Sequence, residues 1–260
     1  MNQFKSIFTL NKTLDRKTAM LLVKVQVALL FIYWYFAPYV FLPTPGDVLA
    51  ALSTLWKQGI VHHLIVSFKL NVEAIIYSTL ISLGLVYLTT IPFFKPLVSF
   101  ISKLRFLSMV GLTFVFGLMF AGAHELKLSL LVFSISVFFI TSMMDVINSI
   151  EKEQFDLART LRMKEWEVLW EVIILGQIDK VFDVVRQNAA IGWLMLTMVE
   201  GIARSEGGIG AVLLNQSKHF HLDAVMGIQI VILLIGLGQD YLIGLAKNMF
   251  CPYAELTTKK

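Results

Sequence analysis

Few side chains in this sequence could carry chemistry, and several stand inside stretches that are otherwise oily. Glu200, Asp240, Arg186, Asn188 and Gln229 are the clearest of these. A charge at bilayer depth costs about 2.5–3.5 kcal/mol on insertion scales, so each requires a partner, a wet passage or a route back to the interface. Glu200 reads in two ways, as a pathway or gate residue or as a carboxylate that reaches back to the interface. Asn188, Trp193 and Thr197 share its stretch and are candidates to line the same path. Asn188 and Gln229 could equally be interhelical hydrogen bonds worth ~1 kcal/mol. Glu73 follows Lys69 by four residues, the spacing of a structural ion pair on one helix. Asp183 and Arg186 read as markers of the water-facing mouth of their stretch.

Reactive centres are harder to find. His62-His63 and His219-x-His221 invite a metal reading, but a site needs three or four convergent ligands. With Cys251 alone and few carboxylates nearby, both pairs read as loop histidines, and no metal is expected. The single cysteine also excludes a disulfide framework. Gly207-Gly208-Ile209-Gly210 follows no strand, so it reads as a tight turn into a short helix, Ala211 to Lys218. No nucleophile with a partnering base emerges, and the chain itself is not expected to be an enzyme.

The elements that hold these residues follow from composition. Of 260 residues, 57% are hydrophobic and only 15% charged, against about 25% charged in a soluble domain. That balance excludes an ordinary water-soluble enzyme and implies an all-α integral membrane protein. Stretches of roughly 20 apolar residues can cross the hydrocarbon core as helices. Six are expected: Val25 to Gly46, with the helix stopping near Val40 before Pro43 and Pro45, then Ala74 to Phe94, Phe106 to Ala123, Leu128 to Met144, Val184 to Ile202, and Ala224 to about Ala246. Segments 1–24, 95–105, 145–186 and 247–260 hold 17 of the 22 Lys and Arg residues. Basic residues are retained in the cytoplasm, so both ends are expected there. The division is then a cytoplasmic arm at 1–20, a membrane domain at 21–250 and a cytoplasmic tail at 251–260. Met1 to Asp15 lacks the continuous apolar core of a secretory signal.

One polar segment interrupts this pattern. Residues 145–186 hold 15 of the 40 charged residues. Leu157, Ala158 and Leu161 share a helical face, while Glu153, Asp156 and Arg159 lie elsewhere. Trp166, Leu169, Trp170, Ile173 and Ile174 repeat at helical spacing, with two Trp suited to a membrane interface. A solvated amphipathic loop would have these features too.

The order of residues adds more. Phe155-Asp156-Leu157-Ala158-Arg159-Thr160-Leu161-Arg162, followed by Trp166-Glu167-Val168-Leu169, resembles the cytoplasmic "EAA" loop of ABC importer permeases. It is most similar to the nitrate/sulfonate/taurine branch, where Glu-Ala-Ala-Arg-Thr-Leu-Gly precedes a Trp. Leu42-Pro43-Thr44-Pro45 with Val48 looks like the Leu-Pro-x-Pro segment after the first span of that branch. Ile191-Gly192-Trp193 to Glu200, then Gly207-Gly208-Ile209-Gly210, looks like its fifth span and outer loop. Asp156, Leu157 and Arg162 stand where the family has Glu, Ala and Gly, and Leu175 and Asp179 replace expected prolines.

The resemblance implies a six-span permease with a coupling helix at about 153–164, in a loop of about 145–180, between spans four and five. Phe155 to Arg162 would seat in a groove on a separate cytoplasmic ATPase, which would bind ATP and Mg. An external binding protein would deliver a small solute of the nitrate, sulfonate or taurine kind, and a second copy would complete a homodimer. The setting would be a bacterial cytoplasmic membrane, with the lipid bilayer and no nucleic acid as surroundings. The chain has no Gly-x-x-x-x-Gly-Lys-Ser/Thr phosphate loop, so hydrolysis would belong to the other subunit. The rival reading is a secondary transporter or channel working without ATP. Such proteins often show inverted repeats and broken helices at midplane, and neither is evident here.

Overall fold

A computed structural model provides the fold, and it describes residues 15–36, 42–203 and 206–252. All regular structure among these residues is helical. Four helices are long and apolar enough to cross a membrane: α1 (Arg16–Phe36), α3 (Ile60–Leu88), α6 (Ala123–Asn148) and α11 (Leu222–Phe250). At 1.5 Å per residue, the 29 residues of α3 and of α11 reach ~43 Å, beyond the ~30 Å hydrocarbon core.

Several expected boundaries move. The first helix begins at Arg16, inside the expected arm, and is described as far as Phe36. Its expected end near Val40, residues 1–14 of the arm and residues 253–260 of the tail lie outside the described residues. The second starts at Ile60 rather than Ala74; its polar Ser67 and Asn71 are covered by neighbouring helices, while Lys69 stays exposed.

The expected third span is broken. Helix α4 (Lys95–Lys103) and a tight turn at Leu104–Phe106 form one leg, and α5 (Met109–Met119) forms another, bent by 111°. Leu107 and Ser108 between them are extended. The 11 residues of α5 reach only ~16 Å. Lys95, Lys103 and Arg105 suit the first leg to the interface, where Arg105 lies over the Phe106 ring at 5.1 Å. Helix α9 (Ile178–Ile202), the expected fifth span, starts earlier and carries Asp179, Lys180, Asp183, Arg186 and Glu200. It is long enough to span but less apolar than the other four.

Four short helices complete the two ends of the bundle. Helix α2 (Pro45–Lys57) opens with a reciprocal cap: the Asp47 amide donates to Thr44 Oγ1, and the Thr44 amide donates to the Asp47 carboxylate. Pro45 takes the first helical position, where its missing N–H is harmless. The hydrogen bonds from Thr44 hold the Asp47 carboxyl below its usual range. Helices α7 (Lys152–Thr160) and α8 (Glu165–Val168) lie between α6 and α9, and α10 (Ile209–Lys218) precedes α11. The C-terminal ends of α3 and α6 share a cavity with α7 and α8, while α10 packs on α3, α9 and α11. The two ends of the bundle are therefore chemically distinct, one built around α7 and one around α10.

The core is organised by α3, α6 and α9. Along α3, Ser67, Asn71, Ala74, Ser78 and Ser82 recur at helical spacing, and each is 0% exposed. Small side chains let membrane helices approach closely, because lipid supplies no hydrophobic drive between them. Facing bulk comes from α6, where Leu130, Leu131, Ile135, Phe139, Ile140 and Met143 are fully covered. Ser82 donates across the seam to the Ser136 carbonyl at 3.3 Å. By contrast, no described α1 side chain is buried in the bundle.

Ser78 tests this seam, since its hydroxyl bonds only the Ile75 carbonyl of its own helix. Ser78→Ala should cost about 1 kcal/mol or less, the worth of one local hydrogen bond. Ser78→Leu should overpack the seam at ~1–3 kcal/mol and lower the thermal midpoint in detergent. Equal midpoints for the two variants would show that the seam is loose.

Candidate functional site

The densest polar cluster lies at the α10 end. Glu200, in the last turn of α9, is fully buried. Ser67 donates to its carboxylate at 2.6 Å, and the Gly210 amide donates to Oε2 at 2.9 Å. Ser67 Oγ in turn accepts the Ile209 amide at 2.8 Å. Those two amides open α10, whose first N–H groups have no partner within the helix and favour negative charge. Glu200 thus supplies the cap that the Gly208 backbone lacks.

The preceding loop is clamped from the other side. Lys127, 1% exposed, donates to the Gly207 carbonyl at 2.9 Å. The Gly208 amide donates to His63 Nδ1 at 3.2 Å. Gly208 has φ +117°, and a Cβ there would overlap the Glu200 carboxyl group. A Cβ on Gly210 would overlap the Thr197 backbone. The Gly-Gly-Ile-Gly run is therefore a turn, as expected, and its glycines admit the carboxylate. Glu200 does not reach back to an interface, since its oxygens are spent on protein donors.

Deeper in the bundle, Trp193 Nε1 donates to Gln239 Oε1 at 2.8 Å, and Asn71 Nδ2 donates to the same oxygen at 3.1 Å. Asn188 is buried and donates to the Val184 carbonyl, while its Oδ1 and that of Asn71 have no hydrogen-bond partner among the described residues. Asn188, Trp193 and Glu200 all face the bundle interior. Thr197 lies apart, in a groove with Gly210, Ser217 and Gln229.

Two ion pairs join α9 to α11. Arg186 holds Asp240 through two hydrogen bonds of 2.9 and 2.6 Å, and Lys247 meets Asp183 at 2.6 Å. Arg186 and Asp183 thus do more than mark a mouth. Glu73 pairs with His124 at 3.6 Å rather than with Lys69, because the facing α6 is nearer than the next turn.

At the opposite end, α7 shows which of its residues are free. Leu157 and Leu161 are each 63% exposed, whereas Ala158 is 4% exposed. The expected shared face of Leu157, Ala158 and Leu161 is corrected here. Ala158 turns inward, because α7 packs back on the segment 165–174. Phe155 and Arg159 border the cavity behind α7. Asp156 and Arg159 approach at 3.7 Å across one exposed turn, and Thr160 donates to the Leu157 carbonyl.

Arg162 ends this helix in the left-handed region, with φ +59°. The Arg162 amide donates to the Arg159 carbonyl, and the Met163 amide to the Ala158 carbonyl. This is the two-bond C-terminal turn that usually places glycine in the left-handed position. The chain keeps the turn despite the arginine. Beyond α8, a wide helical turn at Leu169–Ile174 and a tight one at Leu175–Gln177 lead into α9. The segment is irregular without the prolines that the resemblance leads one to expect at Leu175 and Asp179.

Chemically, these clusters hold and orient polar groups. Among the described residues, no three His, Cys, Asp or Glu side chains converge as a metal site would require. Sequence reasoning missed Ser67, Asn71, Lys127 and Gln239, and it read His63 as a loop residue. Ser67 and Asn71 share the spacing of Ala74, Ser78 and Ser82, a signal hidden by starting the span at Ala74. No protein-family model matches the chain, and no curated protein is significantly similar to it.

Two outcomes follow from this geometry. Glu200→Ala strips the acceptor from Ser67 and the Gly210 amide, at ~1–3 kcal/mol per buried group. Exchange of the Gly210 amide should rise by roughly 10-fold or more, with Glu200→Gln between wild type and alanine. Unchanged exchange in Glu200→Ala would show that the carboxylate does not hold the turn. At the other end, Arg162→Gly should relieve about 1 kcal/mol of left-handed strain and slow exchange of the Met163 amide. Faster exchange in the glycine variant would contradict the turn.

Proposed function

We propose that this chain is the membrane subunit of an ATP-driven, binding-protein-dependent importer for a small solute. Six spans would be formed by α1, α3, the broken α4–α5 pair, α6, α9 and α11. The polar segment from α7 to α8 would face the cytoplasm of a bacterial cell, as the basic residues imply. Two copies would flank the solute path, with an external binding protein above and ATPases holding Mg and ATP below. A solute of the nitrate, sulfonate or taurine kind is the class proposed. Asn188, Trp193, Thr197 and Glu200 are the proposed path residues, with the buried three reached only when the bundle opens.

One observation carries the reading: a short helix with two exposed leucines stands between two membrane-length helices at the basic end. Leu157 and Leu161 project from α7, Asp156 and Arg159 flank them, and Ala158 anchors the helix from behind. Such a knob fits an apolar groove on a partner, with the flanking charges setting its orientation. A loop serving only as a connector has no need of two bare leucines.

The test is capture of the ATPase and its solute-stimulated hydrolysis in reconstituted vesicles. Fully burying a leucine is worth ~1.5–3 kcal/mol, so Leu157→Asp with Leu161→Asp should weaken capture by about 100-fold. The thermal midpoint should stay unchanged, because both residues are free in the isolated chain. Ala158→Trp is a poor probe, since it would disturb the chain's own packing. Full capture by the double variant would remove the coupling role of α7. Solute uptake by vesicles without nucleotide would favour a secondary transporter or channel.

A further inference from the structure

Behind α7 lies a cavity of about 850 Å³, bordered by the ends of α3 and α6 and by the segment 155–174. Sites for drug-sized ligands span roughly 300–1,000 Å³, so this space can take a sizeable molecule. Its lining changes character with depth. Lys95, Arg159 and Glu165 border it beyond the helix ends. Gly84 and Met144 border it one turn inside α3 and α6, ~6 Å deeper at 1.5 Å per residue. Trp166 and Trp170 line it as well, residues that favour the bilayer interface.

We propose that this cavity is a binding site for one anionic phospholipid, with its phosphodiester between Lys95 and Arg159 and an acyl chain running inward past Gly84. The charges favour that occupant. Among its lining residues two cations face the single Glu165 carboxylate, and a phosphodiester would compete with the exposed Asp156 for Arg159. Lys95 has no ion-pair partner among the described residues, and the exposed Arg159–Asp156 contact at 3.7 Å is of a kind worth little. Both cations are suited to phosphate oxygens. The apolar depth argues for a tail, since a free phosphate would leave Gly84, Met144, Leu169 and Ile173 facing water. Basic pockets between membrane helices on the cytoplasmic side suit anionic headgroups. The inference rests on membrane embedding and on this end being the cytoplasmic one, and it does not depend on ATP-driven import.

A lipid seated there would touch α3, α6 and the α7–α8 segment together. It would act as a wedge that sets where α7 stands relative to the bundle.

The experiment is native mass spectrometry of the delipidated full chain in detergent, titrated with phosphatidylglycerol or phosphatidylcholine of matched acyl chains. Wild type should hold one phosphatidylglycerol about 10-fold or more tightly than phosphatidylcholine. Lys95→Gln with Arg159→Gln should remove that preference. Gly84→Trp should fill the inner end and abolish binding of both lipids while leaving the rim intact. This variant is expected to fold, because a Cβ on Gly84 meets nothing within 4 Å. Equal retention of the two lipids by wild type would overturn the proposal, and that comparison needs no variant. Undiminished phosphatidylglycerol binding in Gly84→Trp would also overturn it. So would inorganic phosphate binding equally to wild type and Gly84→Trp while displacing phosphatidylglycerol, which would assign the rim to a free anion.

Discussion

A polar atom within a bilayer has no water to fall back on, so its partner must come from the protein. In this chain that requirement converges on α9. Glu200 is held by Ser67 of α3 and by the Gly210 amide at the start of α10. Trp193 reaches Gln239 of α11, and Arg186 and Asp183 reach Asp240 and Lys247 of the same helix. Every one of these contacts crosses between helices. The long helix least suited to lipid by composition thus carries four polar side chains that reach other helices. Its polar residues hold the bundle together, and α3, α10 and α11 cover much of what lipid would reject.

Close approach makes such partnerships possible. Along α3, the serines and Ala74 leave room for α6 to seat its large side chains, and Ser67 brings a hydroxyl within 2.6 Å of Glu200. In the loop before α10, glycine does what serine does along α3. Gly208 and Gly210 remove side chains from the path of the carboxylate and of the Thr197 backbone. Volume is removed where polar groups must meet, and bulk is supplied by α6 where they need not.

Much of this was legible in the sequence, though unevenly. Apolar length gave α1, α3, α6 and α11, because hydrophobicity over 20 residues is a strong signal. At the third expected span the regular helix is only 11 residues long, and Phe106 and the apolar run after it do not reveal the extended break at Leu107 and Ser108. The importance of Glu200 was visible from its depth, but its partners were not. Ser67 and Gly210 lie 133 and 10 residues away in sequence, and no local pattern joins them. On α7, spacing put Ala158 with Leu157 and Leu161. Which side of so short a helix faces the protein depends on the segment 165–174 folding back, a tertiary fact that periodicity does not carry.

The two polar ends are joined by continuous helical chain. From Leu169 through the wide and tight turns and along α9 to Ile202, no extended residue intervenes. Regular α-helix resists bending, so compliance in this run belongs to its irregular part, 169–177, where the hydrogen-bond ladder changes pitch. Gln177 sits there, buried, with its Oε1 lacking a partner among the described residues. Beyond it, Asp183 and Arg186 tie α9 to α11, and Glu200 ties it to the start of α10. A displacement of the α7–α8 segment therefore has two outlets. It is either absorbed between 169 and 177, or it moves α9, α11 and the turn before α10 together, because the contacts joining those three are the ones that keep polar groups out of lipid.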